Sequence, residues 1–249
     1  MTRFWAGGIA LIVVAVAGGS AWAADMAVKA SPMTAPAAHD WSGFRVGLIG
    51  GGGWGSARQT DSLPFDSGSY DIDGGLIGAT WSQSWQSGQL VYGFESDIVY
   101  SSIEGSTPGT VGTCGGAPPN CASELQWPGT TRVRLGWAWD RYMPFVTAGL
   151  ATATIHGEEG TTPAAGAVGS GSGWVAGWTA GGGIEAAIND KWTAKIDYLY
   201  MDFGNEHVFD DLFAGAVLAE HIDMQAHVVR AAVTYKLGPS LWAVLTGGR

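Results

Sequence analysis

An all-β chain closed into an eight-stranded antiparallel up-and-down barrel that crosses a membrane is the fold class this sequence predicts. Three observations predict it: an export signal at the amino terminus, repeated stretches of roughly ten residues that alternate with period two, and a composition of 40 glycines with only 14% charged residues.

The export signal begins with Thr2-Arg3, continues as an apolar run from Phe4 to Ala17, and ends on the small-residue site Ala21-Trp22-Ala23. Residues 1–23 are therefore expected to be cleaved as a signal peptide. The run is short for a spanning helix, and nothing later supplies the roughly 20 uninterrupted apolar residues that such a helix needs. Residues 24–40, rich in Ala, Pro and Met without periodicity, read as a flexible periplasmic leader. Losing Arg3 leaves 11 basic against 22 acidic residues, a net of −11. Nucleic acid is thereby excluded as a partner, because phosphate binding needs basic patches. Glycine costs about 0.5–1 kcal/mol inside regular elements. So many glycines call for a framework whose backbone groups are all paired, and a closed barrel in lipid is one.

The strands follow in order. The first, Phe44 to Gly50, puts Phe44, Val46 and Leu48 on one face and Arg45 and Gly47 on the other. The second, Gly75 to Trp85, sets Ile77, Ala79, Trp81 and Trp85 against Thr80, Ser82 and Ser84, and turns at Gln86 to Gln89. The third, Leu90 to Tyr100, sets Tyr92, Phe94, Ile98 and Tyr100 against Glu95 and Asp97. A long loop follows with Cys114 and Cys121, which the export context predicts to be a disulfide. The fourth, Thr130 to Trp139, sets Val133, Leu135 and Trp137 against Arg132 and Arg134, and turns at Asp140 to Met143.

The fifth, Pro144 to Ile155, is too rich in small residues for its facing to be read, and a flexible loop is expected from His156 to Gly173. The sixth, Trp174 to Ile188, sets Trp178, Ile184 and Ile188 against Thr179 and Glu185, and turns at Asn189 to Lys191. The seventh, Trp192 to Phe203, sets Ile196, Tyr198 and Tyr200 against Lys195 and Asp197. The eighth, Met224 to Leu237, sets Val229, Val233 and Tyr235 against Arg230 and Lys236. The barrel is thus expected over 41–237, with a carboxyl-terminal extension at 238–249. Trp41, Trp54, Trp85, Trp139, Trp174 and Trp192 stand near strand ends, as interfacial girdles require. In a soluble barrel, by contrast, Trp137 and Tyr198 would be core and Arg132, Arg134 and Lys195 would face water.

Several blocks go beyond alternation: Trp41-Ser42-Gly43-Phe44-Arg45-Val46-Gly47, Tyr92-Gly93-Phe94-Glu95-Ser96-Asp97, Thr130 to Trp137 with Pro144 to Leu150, and Gly177 to Glu185 with Trp192 to Gly204. They resemble the alphaproteobacterial outer-membrane immunogenic proteins, a porin-family group of small barrels akin to the OmpA transmembrane domain. The resemblance covers Trp41 to Leu237 and implies a surface antigen of the cell outer membrane. The expected partners are outer-membrane lipid and lipopolysaccharide, with the barrel-assembly machinery and periplasmic chaperones during biogenesis, and the expected state is a monomer. One departure is that Tyr235-Lys236-Leu237 does not end the chain, whereas the last strand of these proteins normally ends on an aromatic residue.

If the aromatic faces meet lipid, Arg45, Glu95, Asp97, Arg132, Arg134, Glu185, Lys195, Asp197, Arg230 and Lys236 point inward. An eight-stranded barrel is only wide enough for side chains to fill it, and buried charges must be paired. A salt-bridged plug in a structural envelope protein is the leading expectation. A narrow porin for ions or very small solutes is the alternative, and ligand or host-surface binding by the loops is a third. No catalytic, metal or cofactor site is expected. His39, His156, His207, His221 and His227 have acidic neighbours but no motif that fixes a nucleophile, and loop-borne metal or haem capture by His207 and His221 is the weaker alternative. The runs Gly50 to Gly53 and Gly181 to Gly183 lead into no Lys-Ser/Thr helix, so they are not phosphate loops.

Overall fold

The computed structural model describes residues 39–60, 66–108, 120–162, 166–213 and 216–238, except the side chains of 120, 159–162, 166–170, 206, 207, 209–213 and 216–220. The signal peptide, the leader up to residue 38, Cys114 and the extension from residue 239 lie outside the described residues.

Nine strand segments form one antiparallel sheet: β1 (Gly43–Thr60), β2 (Tyr70–Ser87), β3 (Leu90–Ser101), β4 (Ile103–Pro108), β5 (Asn120–Trp137), β6 (Tyr142–Thr162), β7 (Gly166–Ala187), β8 (Trp192–Phe213) and β9 (Ala216–Lys236). β3 and β4 are two lengths of one wall strand, parted at Ser102, so the wall has eight members. β1 pairs with β2 on one side and with β9 on the other, from Arg45↔Lys236 to Thr60↔His221, and this closes the barrel without an edge. Short turns at Gly88, Asp140 and Asn189–Asp190 join β2 to β3, β5 to β6 and β7 to β8. Gly88 has φ +62° and Asp140 φ +52°, and a glycine and an aspartate are residues that tolerate such a turn.

Facing follows the period-two pattern. Leu48, Ile77, Phe94, Val133, Trp137, Ile196, Tyr198 and Val233 are exposed on the outer wall while Arg132 and Lys195 are buried within. This is the reverse of a soluble barrel. In β6, whose facing the sequence left open, Met143, Phe145, Thr147, Ala151, Ala153 and Ile155 are buried.

The strands run further than the sequence suggests. A membrane-spanning strand needs about 9–11 residues, whereas β7 and β8 each have 22 and β1, β2 and β5 have 18. The loop expected from His156 to Gly173 is corrected accordingly: strand continues to Thr162 and resumes at Gly166, paired from His156↔Ser172 to Thr162↔Gly166. The extra length rises past the outer girdle, and there the two faces exchange character. Along β9 the inward residues pass from Thr234 and Arg230 to Val228, Met224 and Ile222, all buried. The outward ones pass from Val233 and Val229 to Gln225 and Asp223. Below this level the interior is charged and the exterior apolar, and above it the reverse holds.

Candidate functional site

The interior contains three layers, and the middle one carries the chemistry. Neighbouring strands offer opposite charges at one height because their register brings them there: Glu95 lies opposite Arg132, Glu185 opposite Lys195, and Asp197 opposite Arg230. Arg132 Nη2 donates to Glu95 at 2.6 Å and to Asp97 at 2.8 Å. Arg230 grips Asp197 with two nitrogens, at 3.1 and 2.6 Å, and reaches Asp97 at 3.0 Å. Arg134 donates to Glu185 and stands 3.4 Å from Glu95, with its guanidinium 3.9 Å from the centre of the Phe145 ring. Lys195 Nζ donates to Glu95. Hydroxyls fill the remaining acceptor sites, Thr130 on Asp97 at 2.8 Å and Thr193 on Glu185 at 2.5 Å. Eight of the sequence-predicted side chains thus meet in one network, none more than 5% exposed. The forked Arg230–Asp197 pair is of the strong kind.

Two of the ten are placed elsewhere. Arg45 is buried but donates to the Trp41 carbonyl at 2.6 Å, below the layer, and Lys236 is at the periplasmic mouth, 2.9 Å from Asp40. There the Lys236 ammonium and the Ser42 N–H outweigh the opposing effect of partial burial and hold the Asp40 carboxyl below its ordinary range.

Trp41 is also a correction. Far from joining a girdle, it is 0% exposed and packs with Val91, Ala138, Met143 and Ala187 as a stopper in the mouth. Its backbone N–H donates to Gln86 Oε1 at 2.8 Å. A tryptophan two residues before the first strand reads as interfacial because sequence does not reveal that the chain folds back into the lumen. Trp54, Trp85, Trp139, Trp174 and Trp192 are all exposed on the outer wall.

Above the ion layer the lumen is filled by apolar side chains, among them Ile72, Ile103, Leu125, Ile155, Leu199, Phe203 and Ile222, each under 2% exposed. Its few polar members bond to one another: the Tyr70 and Ser123 hydroxyls are 2.7 Å apart, and Gln59 donates to Ser123 at 3.0 Å. This layer was not read from the sequence, although the alternation of Leu199, Met201 and Phe203 with polar neighbours signals it.

The histidines do not converge. His39 lies beside Trp41, His156 is on the outer wall 3.4 Å from Glu158, and His227 accepts from or donates to the Tyr198 hydroxyl at 2.7 Å. His207 and His221 are paired across β8 and β9 by their backbones, and the His207 side chain is outside the described residues. Cys121 is buried on the inner side of β5, and no free cysteine occurs among the described residues.

Comparison with known proteins gives a consistent picture. The family model described as the outer membrane protein beta-barrel domain matches residues 11–236. The 31 kDa outer-membrane immunogenic protein of Brucella melitensis is 34% identical over 233 residues, covering 87% of this chain and 93% of the relative. The 25 kDa outer-membrane immunogenic protein of Brucella abortus is 30% identical over 221 residues, covering 87% and 91%. Among solved structures, the outer membrane protein OprG of Pseudomonas aeruginosa superposes with a TM-score of 0.54 at 12% identity, over 80% of this chain and 99% of that one. This last likeness is one of fold.

Proposed function

Since the chain belongs to the outer membrane protein β-barrel domain family, we propose that it serves the cell outer membrane as a closed, non-conducting structural barrel, with its outer strand ends presented at the surface. One observation carries this reading: the layer of Glu95, Asp97, Arg132, Arg134, Glu185, Lys195, Asp197 and Arg230 crosses the lumen from β3 and β5 to β7, β8 and β9 with no side chain more than 5% exposed. A permeating ion would have to part these pairs, and breaking one buried pair costs about 3–5 kcal/mol. Trp41 below and the apolar layer above stand in series with it. The relatives are named immunogenic, and the same property is proposed for the outward strand ends of this chain.

The test is conductance in a planar bilayer. Refolded protein is expected to show little steady current. Stable open channels whose ion selectivity changes in Arg134→Ala, with the unfolding midpoint unmoved, would replace the plug by a narrow porin.

A further inference from the structure

Strand register places an unusual patch on the lipid-facing wall, near the outer girdle. Reading across β2, β3, β5, β6 and β7, one row is Trp81, Ser96, Thr131, Leu150 and Trp178, and the row above it is Ala79, Ile98, Gly129, Thr152 and Ala176. The centre of these rows is a hydroxylated floor, where the Ser96 and Thr131 hydroxyls lie 3.1 Å apart and Thr152 donates to the Gly129 carbonyl at 3.4 Å. Hydroxyls facing hydrocarbon are costly unless something polar meets them.

Three exposed indoles, Trp81, Trp127 and Trp174, frame this floor around a hollow of about 420 Å³. Trp127 is held there by a bulge in β5, where the register shifts between Gln126 and Gly129 and Trp127 adopts φ +46°. A bulky residue at positive φ is strained, and such strain is retained where it aims a side chain. Tyr100 supports the indole edge-on, with ring centroids 5.4 Å apart.

A second feature continues the first. Two residues lower on the same strands, Phe94, Val133 and Ala148 replace Ser96, Thr131 and Leu150, and with Val146 and Ala180 they line an apolar groove of about 710 Å³. A polar hollow at the interface with an apolar groove directly beneath has the form of an amphiphile whose head lies outward.

We propose that this track on β3, β5, β6 and β7 binds a glycolipid of the outer leaflet, with an uncharged sugar against the three indoles and the Ser96–Thr131–Thr152 hydroxyls and an acyl chain in the groove below. Indole faces pack on the C–H faces of sugar rings, and threonine and serine hydroxyls exchange hydrogen bonds with sugar hydroxyls. No Lys or Arg lines the hollow, and the neighbouring hollow above contains Glu104, Glu124 and Glu158, so a phosphate would be repelled. The site depends on the outer-membrane placement of the barrel and not on the state of the lumen.

The experiment uses the full chain in phosphatidylcholine nanodiscs doped with equal fractions of diglucosyl diacylglycerol and phosphatidylglycerol of matched acyl chains, with lipid adducts counted by native mass spectrometry. The glucosyl lipid is expected to be retained severalfold over both phospholipids. Thr131→Val with Thr152→Val should abolish that preference, and so should Trp174→Leu, while Trp139→Leu on the opposite girdle should leave it intact. Ala148→Trp, which fills the groove, should reduce every adduct. Electrophoretic mobility with and without boiling confirms that each variant is folded. Equal retention of the three lipids, a preference for phosphatidylglycerol, or a preference that survives the double threonine change overturns the site, and conductance measured on the same samples reports the lumen separately.

Discussion

Arg134 illustrates how much one side chain holds here. It bonds Glu185, approaches Glu95 and covers Phe145, and it is buried on all sides. Arg134→Ala would leave two carboxylates short of their partner, so a loss of about 3–5 kcal/mol is expected in urea unfolding followed by tryptophan fluorescence. A change of less than about 1 kcal/mol would instead indicate a water-screened arginine. That Arg132, Arg134, Glu95 and Asp97 face inward was legible, because each alternates with a large apolar neighbour. Which arginine meets which carboxylate was not, since that depends on the register between strands distant in sequence, as with Arg230 and Asp97. Outside the membrane, Arg58 grips Asp66, and this contact with the Gly68 N–H holds the Asp66 carboxyl down to about 2. Because the folded value is depressed, the contribution is complete above the ordinary carboxylate range and is lost as pH falls through about 2. An NMR titration should show Asp66 ionised at pH 4, and a midpoint in the ordinary range would contradict the pairing.

At the scale of elements, the strand cores were legible and their outer lengths were not. From Leu199 to Phe203 in β8 and from Val228 to Ile222 in β9 the alternation persists, but with its polarity exchanged between the faces. A pattern sought as apolar-outward therefore ends there. The stopper at Trp41 was missed because its burial comes from Val91, Ala138, Met143 and Ala187, all distant from it in sequence. In β5, Cys121 is buried opposite Glu159 and Thr107 in the strand ladder, close to where the chain leaves for Cys114. A Cys114–Cys121 bridge is expected in exported protein. Closing so short a loop stabilises by at most about 3 kcal/mol, so Cys114→Ser should perturb that loop and leave the barrel folded. Titration of two free thiols in protein purified without reductant would refute the bridge.

For the whole molecule, the closed ladder from β1 round to β9 predicts a protein that stays compact in detergent until boiled. A strand-dominated far-UV spectrum and a mobility shift on heating are expected, and a helical spectrum would contradict the fold. Glycine explains how so narrow a wall closes: a Cβ on Gly181 would lie 2.0 Å from the Tyr198 carbonyl, and one on Gly149 2.2 Å from that of Thr131. The exchange of faces along the strands also fixes the molecule vertically. Sinking by one pair of residues would push Asp223, Glu124 and Glu158 toward hydrocarbon, and rising would lift Ile77, Ile98 and Val229, the uppermost outward aliphatic residues of β2, β3 and β9, into water. The barrel therefore floats at one draught, like a hull with its own waterline. A bilayer of another thickness must stretch or thin to meet that line, because the wall has no second level at which it can rest.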